Sequence, residues 1–104
     1  PTQEVMIRRA MAVTGFNDEL TVSKMVKVVN DMADYCRKNS ITDGTVGMRS
    51  LIDWIASSEI TGDVYTSALS TIISKATANE DDREALTVSI LEPVFAPLGS
   101  AASA

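Results

Sequence analysis

Between Val22 and Cys36 the apolar residues fall at steps of three and four: Val22, Met25, Val26, Val29, Met32, Ala33 and Cys36. That spacing follows the turn of an α-helix and puts these residues on one face. Lys24, Lys27, Asn30, Asp31, Asp34 and Arg37 take the opposite face. An amphipathic helix of this length gains most of its stability by burying such a stripe, so the fold must supply apolar partners for it. Asp18 or Thr21 suits the start as a cap, and Lys38 with Asn39 suits the end. Thr42-Asp43-Gly44-Thr45 then reads as a turn.

The partners follow the same pattern. Tyr65, Ala68, Leu69, Ile72, Ile73 and Ala76 predict a helix over about 64–76, with Gly62 closing the helix before it and Asp63 capping its start. That preceding helix, about 47–59, offers Met48, Leu51, Ile52, Ile55 and Ile60, with Trp54 on a neighbouring flank. An N-terminal helix over about 2–13 carries Met6, Ile7, Ala10, Met11 and Val13 and stops at Gly15. Asn79-Glu80-Asp81-Asp82 opens a fifth helix, with Asp81 and Glu84 at capping-box spacing. Leu86, Ile90 and Leu91 form its core face, and Pro93 ends or kinks it. Val88 to Leu91 alternates weakly but lies inside this helical window. The expectation is an all-α fold: a compact bundle of about five helices in one domain over 1–97, with 98–104 a flexible tail.

Composition then removes whole classes of chemistry. The chain has no His and a single Cys, which excludes zinc fingers, Cys/His metal sites, an intramolecular disulfide and Ser-His or Cys-His catalytic pairs. Nine basic against fourteen acidic residues give a net charge of −5, which argues against a nucleic-acid partner and against a helix-turn-helix DNA binder. The longest apolar run is far too short to cross a bilayer, and no secretory signal pattern is present. A lone Cys36 fits a reducing compartment, so the expected location is cytoplasmic, with no membrane partner.

Candidate sites are few. No phosphate-cradling Gly-rich motif occurs. Asp31 with Asp34, and Asp81 with Asp82, are the candidate acid/base pairs. A solvated helix face accounts for the first and a helix start for the second, so no catalytic residue is assigned. Asn79 to Asp82 lacks the spacing of a calcium loop, and no metal site is expected. Cys36 and the methionines sit on apolar stripes, where core packing is the default.

Arg49 breaks the pattern. If Gly47 starts a helix, Arg49 lies in the first turn, where the helix dipole disfavours a cation by about 0.3–1 kcal/mol. A bound anion reverses that preference, because a helix N-terminus and an Arg fork both suit phosphate.

The run Gly47-Met48-Arg49-Ser50-Leu51-Ile52-Asp53-Trp54 resembles the sensor-2 helix of AAA+ ATPases of the MoxR-like and dynein-related branch. Gln3 to Ile7 leading to Thr14-Gly15-Phe16 is similar to the first lid helix of that branch. Ile41 to Gly44, Thr61 to Tyr65, Ile72 to Thr77 and Asp81 to Glu84 agree in order and spacing. The resemblance spans about 3–95. It implies a C-terminal helical lid that covers ATP held, with Mg, by a separate α/β core and couples hydrolysis to chaperone-like remodelling. It makes Arg49 the sensor-2 residue, reaching the terminal phosphate, with Met48 and Gly47 beside the adenine. The implied partners are the lid's own core, neighbouring subunits of a ring and, in some members, a von Willebrand factor A domain protein. Walker A, Walker B, sensor-1 and arginine-finger elements are absent from these residues, so this chain alone is not expected to hydrolyse ATP. The alternative is a standalone acidic helical protein-interaction module. Trp54 and Tyr65 would be its candidate anchors, although their helical registers favour core packing.

Overall fold

A computed structural model describes residues 3–41 and 46–95. Five helices account for most of them: α1 (Gln3–Thr14), α2 (Glu19–Lys38), α3 (Met48–Thr61), α4 (64–76) and α5 (80–91). No strand occurs among the described residues. The fold is all-α, as the periodicities predict. The predicted turn at Thr42 to Thr45 and the predicted tail at 98–104 lie outside the described residues.

Short polar side chains set the helix starts. Asp18 caps α2, its carboxylate accepting from the Thr21 amide at 3.2 Å and the Thr21 hydroxyl at 2.7 Å. Asp63 caps α4 in the same way, taking the Thr66 amide at 3.1 Å and the Thr66 hydroxyl at 2.6 Å. At α5 the cap is Asn79, whose side-chain oxygen accepts from the Asp82 amide at 3.0 Å. This corrects the capping box expected from Asp81 and Glu84: the chain enters the helix two residues earlier, and Glu80, Asp81 and Asp82 all occupy its first turn. Gly15 and Gly62 end α1 and α3 at φ 76° and 72°, a left-handed conformation that other residues adopt only at a cost.

The core is the seam where α2 and α3 meet, with α1 packed across both, α4 on α3 and the last turns of α5 on α2. Val22, Met25, Val26, Val29, Met32 and Cys36 are buried as the stripe predicts. Val28, off the stripe, is buried as well, and Ala33 is only half-buried. Both departures follow from α2 having neighbours on several sides, which widens its apolar face. Leu51, Trp54 and Ile55 anchor α3 in the core, so Trp54 is central and not on a flank. Two predicted core residues lie outside: Ile60 is 86% exposed and Val13 is 61% exposed, each in the last turn of its helix, past the packing partner. The radius of gyration, 13.0 Å, is that of a folded domain of about 100 residues.

Two helices change pitch midway. α4 runs as Val64–Ala68, then a π segment Leu69–Ile73, then Ser74–Ala76. α5 runs as Glu80–Leu86 and then a π segment Thr87–Leu91. The amide of Ser74 reaches back five residues to Leu69, and that of Glu92 reaches Thr87 at 2.9 Å. Hydroxyls serve carbonyls next to the widened turns: Thr71 donates to Ser67 at 2.6 Å and Thr87 to Arg83 at 2.8 Å. The apolar spacing alone carries no sign of this change.

Candidate functional site

The start of α3 is where the sequence places its one anomalous charge. Val46 packs against the core, and Gly47 follows in extended backbone, φ −177° and ψ −152°. The Leu51 amide donates to the Gly47 carbonyl at 3.0 Å and closes the first turn. Gly47 brings no side chain of its own to cap this start, and the first turn holds no acid. Met48 leans onto the core, half-buried, while Arg49 points outward with 89% of its side chain exposed. Gly47, Met48 and Arg49 are therefore adjacent but differently engaged: the methionine packs and the arginine does not.

Arg49 makes one contact among the described residues. Its Nε donates to Asp53 Oδ1 at 3.3 Å, one turn along α3. Asp53 Oδ2 in turn lies 3.8 Å from Nζ of Lys75, near the end of α4. An exposed pair of this kind contributes about 0.2–1 kcal/mol, so the fold has little need of Arg49. The guanidinium has five donors, and only Nε–H has a described protein partner. The Arg49 to Asp53 spacing was readable as an i, i+4 pair. Lys75 was not, because only the packing of α4 on α3 brings it there.

The other candidates are explained by their surroundings. Asp31 pairs with Lys27 at 2.6 Å and Asp34 pairs with Arg37, each within α2. Asp82 accepts from the Tyr35 hydroxyl at 3.4 Å, linking α5 to α2. Burial, followed by the charge and hydrogen bond of Asp82, holds the Tyr35 phenol above its usual pKa. A shallow groove of about 300 Å³ opens beside Tyr35, lined by Asp31, Asp34, Lys38, Asn39 and Ile90. Gly47, Met48 and Arg49 do not line it, while the carboxylates Asp31 and Asp34 do. Among the described residues no group of three or more potential ligands gathers around a metal position.

The two aromatics considered as interface anchors are both committed to the fold. Trp54 is fully buried, donates its indole N–H to the Val64 carbonyl at 2.9 Å and meets Phe95 edge-on at 5.6 Å. Tyr65 is half-buried and donates its hydroxyl to Glu92 at 2.8 Å. Burial first, and then that bond, raises its pKa. Among the described residues no helix is long and apolar enough to cross a membrane. In comparisons with known proteins, no family model, no curated protein and no solved structure matches the chain.

Proposed function

We propose that this chain is the C-terminal, sensor-2 lid of an AAA+ ATPase of the MoxR-like and dynein-related branch. In this reading it covers ATP bound by a separate α/β core in a cytoplasmic ring. The observation that carries the reading is the state of Arg49: it stands in the first turn of α3, exposed, with its terminal nitrogens unbonded to any described residue. The motif resemblance around Gly47 to Trp54 gives that arginine its partner, the terminal phosphate.

The residues present suit a phosphate. The fork of Arg49 offers two parallel N–H donors to phosphate oxygens, and the helix start adds partial positive charge. Gly47 carries no side chain to block an approach to that end. When bound, ATP supplies the phosphoryl group to be transferred, and the core supplies its Mg. Arg49 would stabilise the charge that develops on that group. Because Leu51, Trp54 and Ile55 bind the same helix into the core of the domain, a change in what Arg49 touches moves the lid as a body. That movement would couple hydrolysis to chaperone-like remodelling through neighbouring subunits or a von Willebrand factor A domain partner. Met48 and Gly47 would lie beside the adenine.

The test is ATP turnover by the complete gene product that carries these residues. Arg49→Ala should lower turnover about 100- to 1,000-fold, with the thermal midpoint close to that of wild type, as for other surface substitutions. Wild-type turnover and wild-type coupled work in that variant would remove Arg49 from the site. A gene product with no G-x-x-x-x-G-K-[ST] loop would remove the ATPase reading as a whole.

A further inference from the structure

Asp53 faces two cations from two helices. Its Oδ1 accepts from Arg49 Nε at 3.3 Å, and its Oδ2 lies 3.8 Å from Lys75 Nζ on α4. The carboxylate is the most sheltered of the three, at 32% exposed against 89% for Arg49 and 57% for Lys75. It is therefore the fixed point about which the two long side chains arrange. The contact to Arg49 is made through Nε. That geometry leaves the two Nη groups, the fork that fits an anion bidentately, without a described protein partner. A carboxylate that gripped the fork itself would compete with phosphate, and this one does not.

Taking Arg49 as the phosphate-facing residue, we infer that Asp53 is its positioning residue and that Lys75 neutralises Asp53 from α4. Three charges then sum to one net positive at the start of α3. Without Lys75, the Arg49–Asp53 pair would sum to zero, and the carboxylate would repel an incoming anion while drawing Arg49 back. With Lys75, Asp53 has a second counter-ion, so the charge that Arg49 offers a phosphate is not cancelled by the carboxylate that holds its Nε. The same carboxylate joins α3 to α4, which ties the orientation of Arg49 to the packing of the two helices.

A mutant cycle in the complete ATPase tests this, read as kcat and KM for ATP separately. Asp53→Asn should lower kcat/KM about two- to fivefold, the effect of losing an exposed ion pair, and Asp53→Glu should recover part of it. In an Arg49→Ala background Asp53→Asn should change nothing further, because Asp53 acts only through Arg49. Lys75→Met should raise KM about two- to fivefold, and that effect should vanish in the Asp53→Asn background. Thermal midpoints of all variants serve as the folding control. If Arg49→Ala impairs turnover but Asp53→Asn has no effect, or multiplies the loss in the Arg49→Ala background, the positioning role is overturned while the sensor-2 reading stands. If Arg49→Ala itself has no effect, the reading of the site falls and the positioning role falls with it.

Discussion

Towards its C-terminal end, α3 buries Trp54, Ile55 and Ser58, bonds Trp54 to the Val64 carbonyl and closes on Gly62 in the left-handed conformation. The Ser58 hydroxyl donates to the Trp54 carbonyl at 2.8 Å, so even the buried polar group is satisfied. At its other end, the same helix starts on a glycine, which brings no side-chain cap of its own, and presents Arg49 to solvent. Its neighbours do not share this asymmetry, since α2, α4 and α5 all begin on Asp or Asn caps. One end of α3 is thus built to be held by the domain, and the other to offer charge from a rigid support. A local rule broken at one end of a helix whose other end is well anchored is what a functional position in a stable scaffold looks like.

The contrast breaks first at Trp54. Trp54→Ala should cost about 3–5 kcal/mol, through lost burial and the cavity left behind. That is a large share of the roughly 5–15 kcal/mol that holds a domain together. Urea unfolding followed by far-UV circular dichroism measures it. Trp54→Phe should cost less, mainly by leaving the Val64 carbonyl without its indole donor. A loss below about 1 kcal/mol for the alanine variant would mean that the C-terminal end of α3 is not the anchor.

A smaller effect comes from acid. Hydrogen bonds from Thr21 and Thr66, side chain first and then backbone, hold the carboxyls of Asp18 and Asp63 below 3.8. With the folded pKa depressed, the unfolded chain takes up the proton first as pH falls. The caps therefore contribute stability above about pH 3.8, and that contribution is lost as pH drops through the folded values. The thermal midpoint should fall across this window, and less steeply in an Asp18→Ala/Asp63→Ala variant. An equal slope in that variant would deny the caps their part.

How much of this was legible in the sequence differs between the two ends. Helix positions, the cap at Asp63, a cap at Asp18 or Thr21 and the closures at Gly15 and Gly62 follow from local spacing and turn chemistry, which act within a few residues; the structure selects Asp18. The seam residues of α2 follow from period alone. What escaped needs the third dimension. Val28 is buried because α2 is packed from several sides, and Ile60 is exposed because α3 outruns its neighbour. The π segments change the hydrogen-bond ladder while leaving the apolar stripe of α4 nearly in register. At the site, Arg49 stands out in the sequence as a cation in a wrong place, whereas Asp53 is not singled out there, although its i, i+4 spacing to Arg49 could have found it. Lys75 lies 22 positions after Asp53, and only the packing of α4 on α3 brings it to the same carboxylate.

The smallest expected effect is also the one that sharpens the comparison most. At φ −177° Gly47 has backbone that any residue adopts, and a Cβ added there meets nothing within 4 Å. Gly47→Asp should thus fit, and should give α3 the cap its neighbours have. The gain is about 0.3–1 kcal/mol from the cap and from an acid at the positive end of the helix. The same carboxylate would stand beside Arg49, offering the guanidinium a partner and repelling phosphate. The expected result is a higher urea midpoint for the variant together with lower ATP turnover in the complete gene product. A rise in stability with turnover unchanged would show that the bare start of α3 is merely tolerated, and the functional contrast between its two ends would disappear. Opposite movement of the two quantities, from one substitution at one position, would mean that stability is given up at this end of the helix so that an anion can approach it.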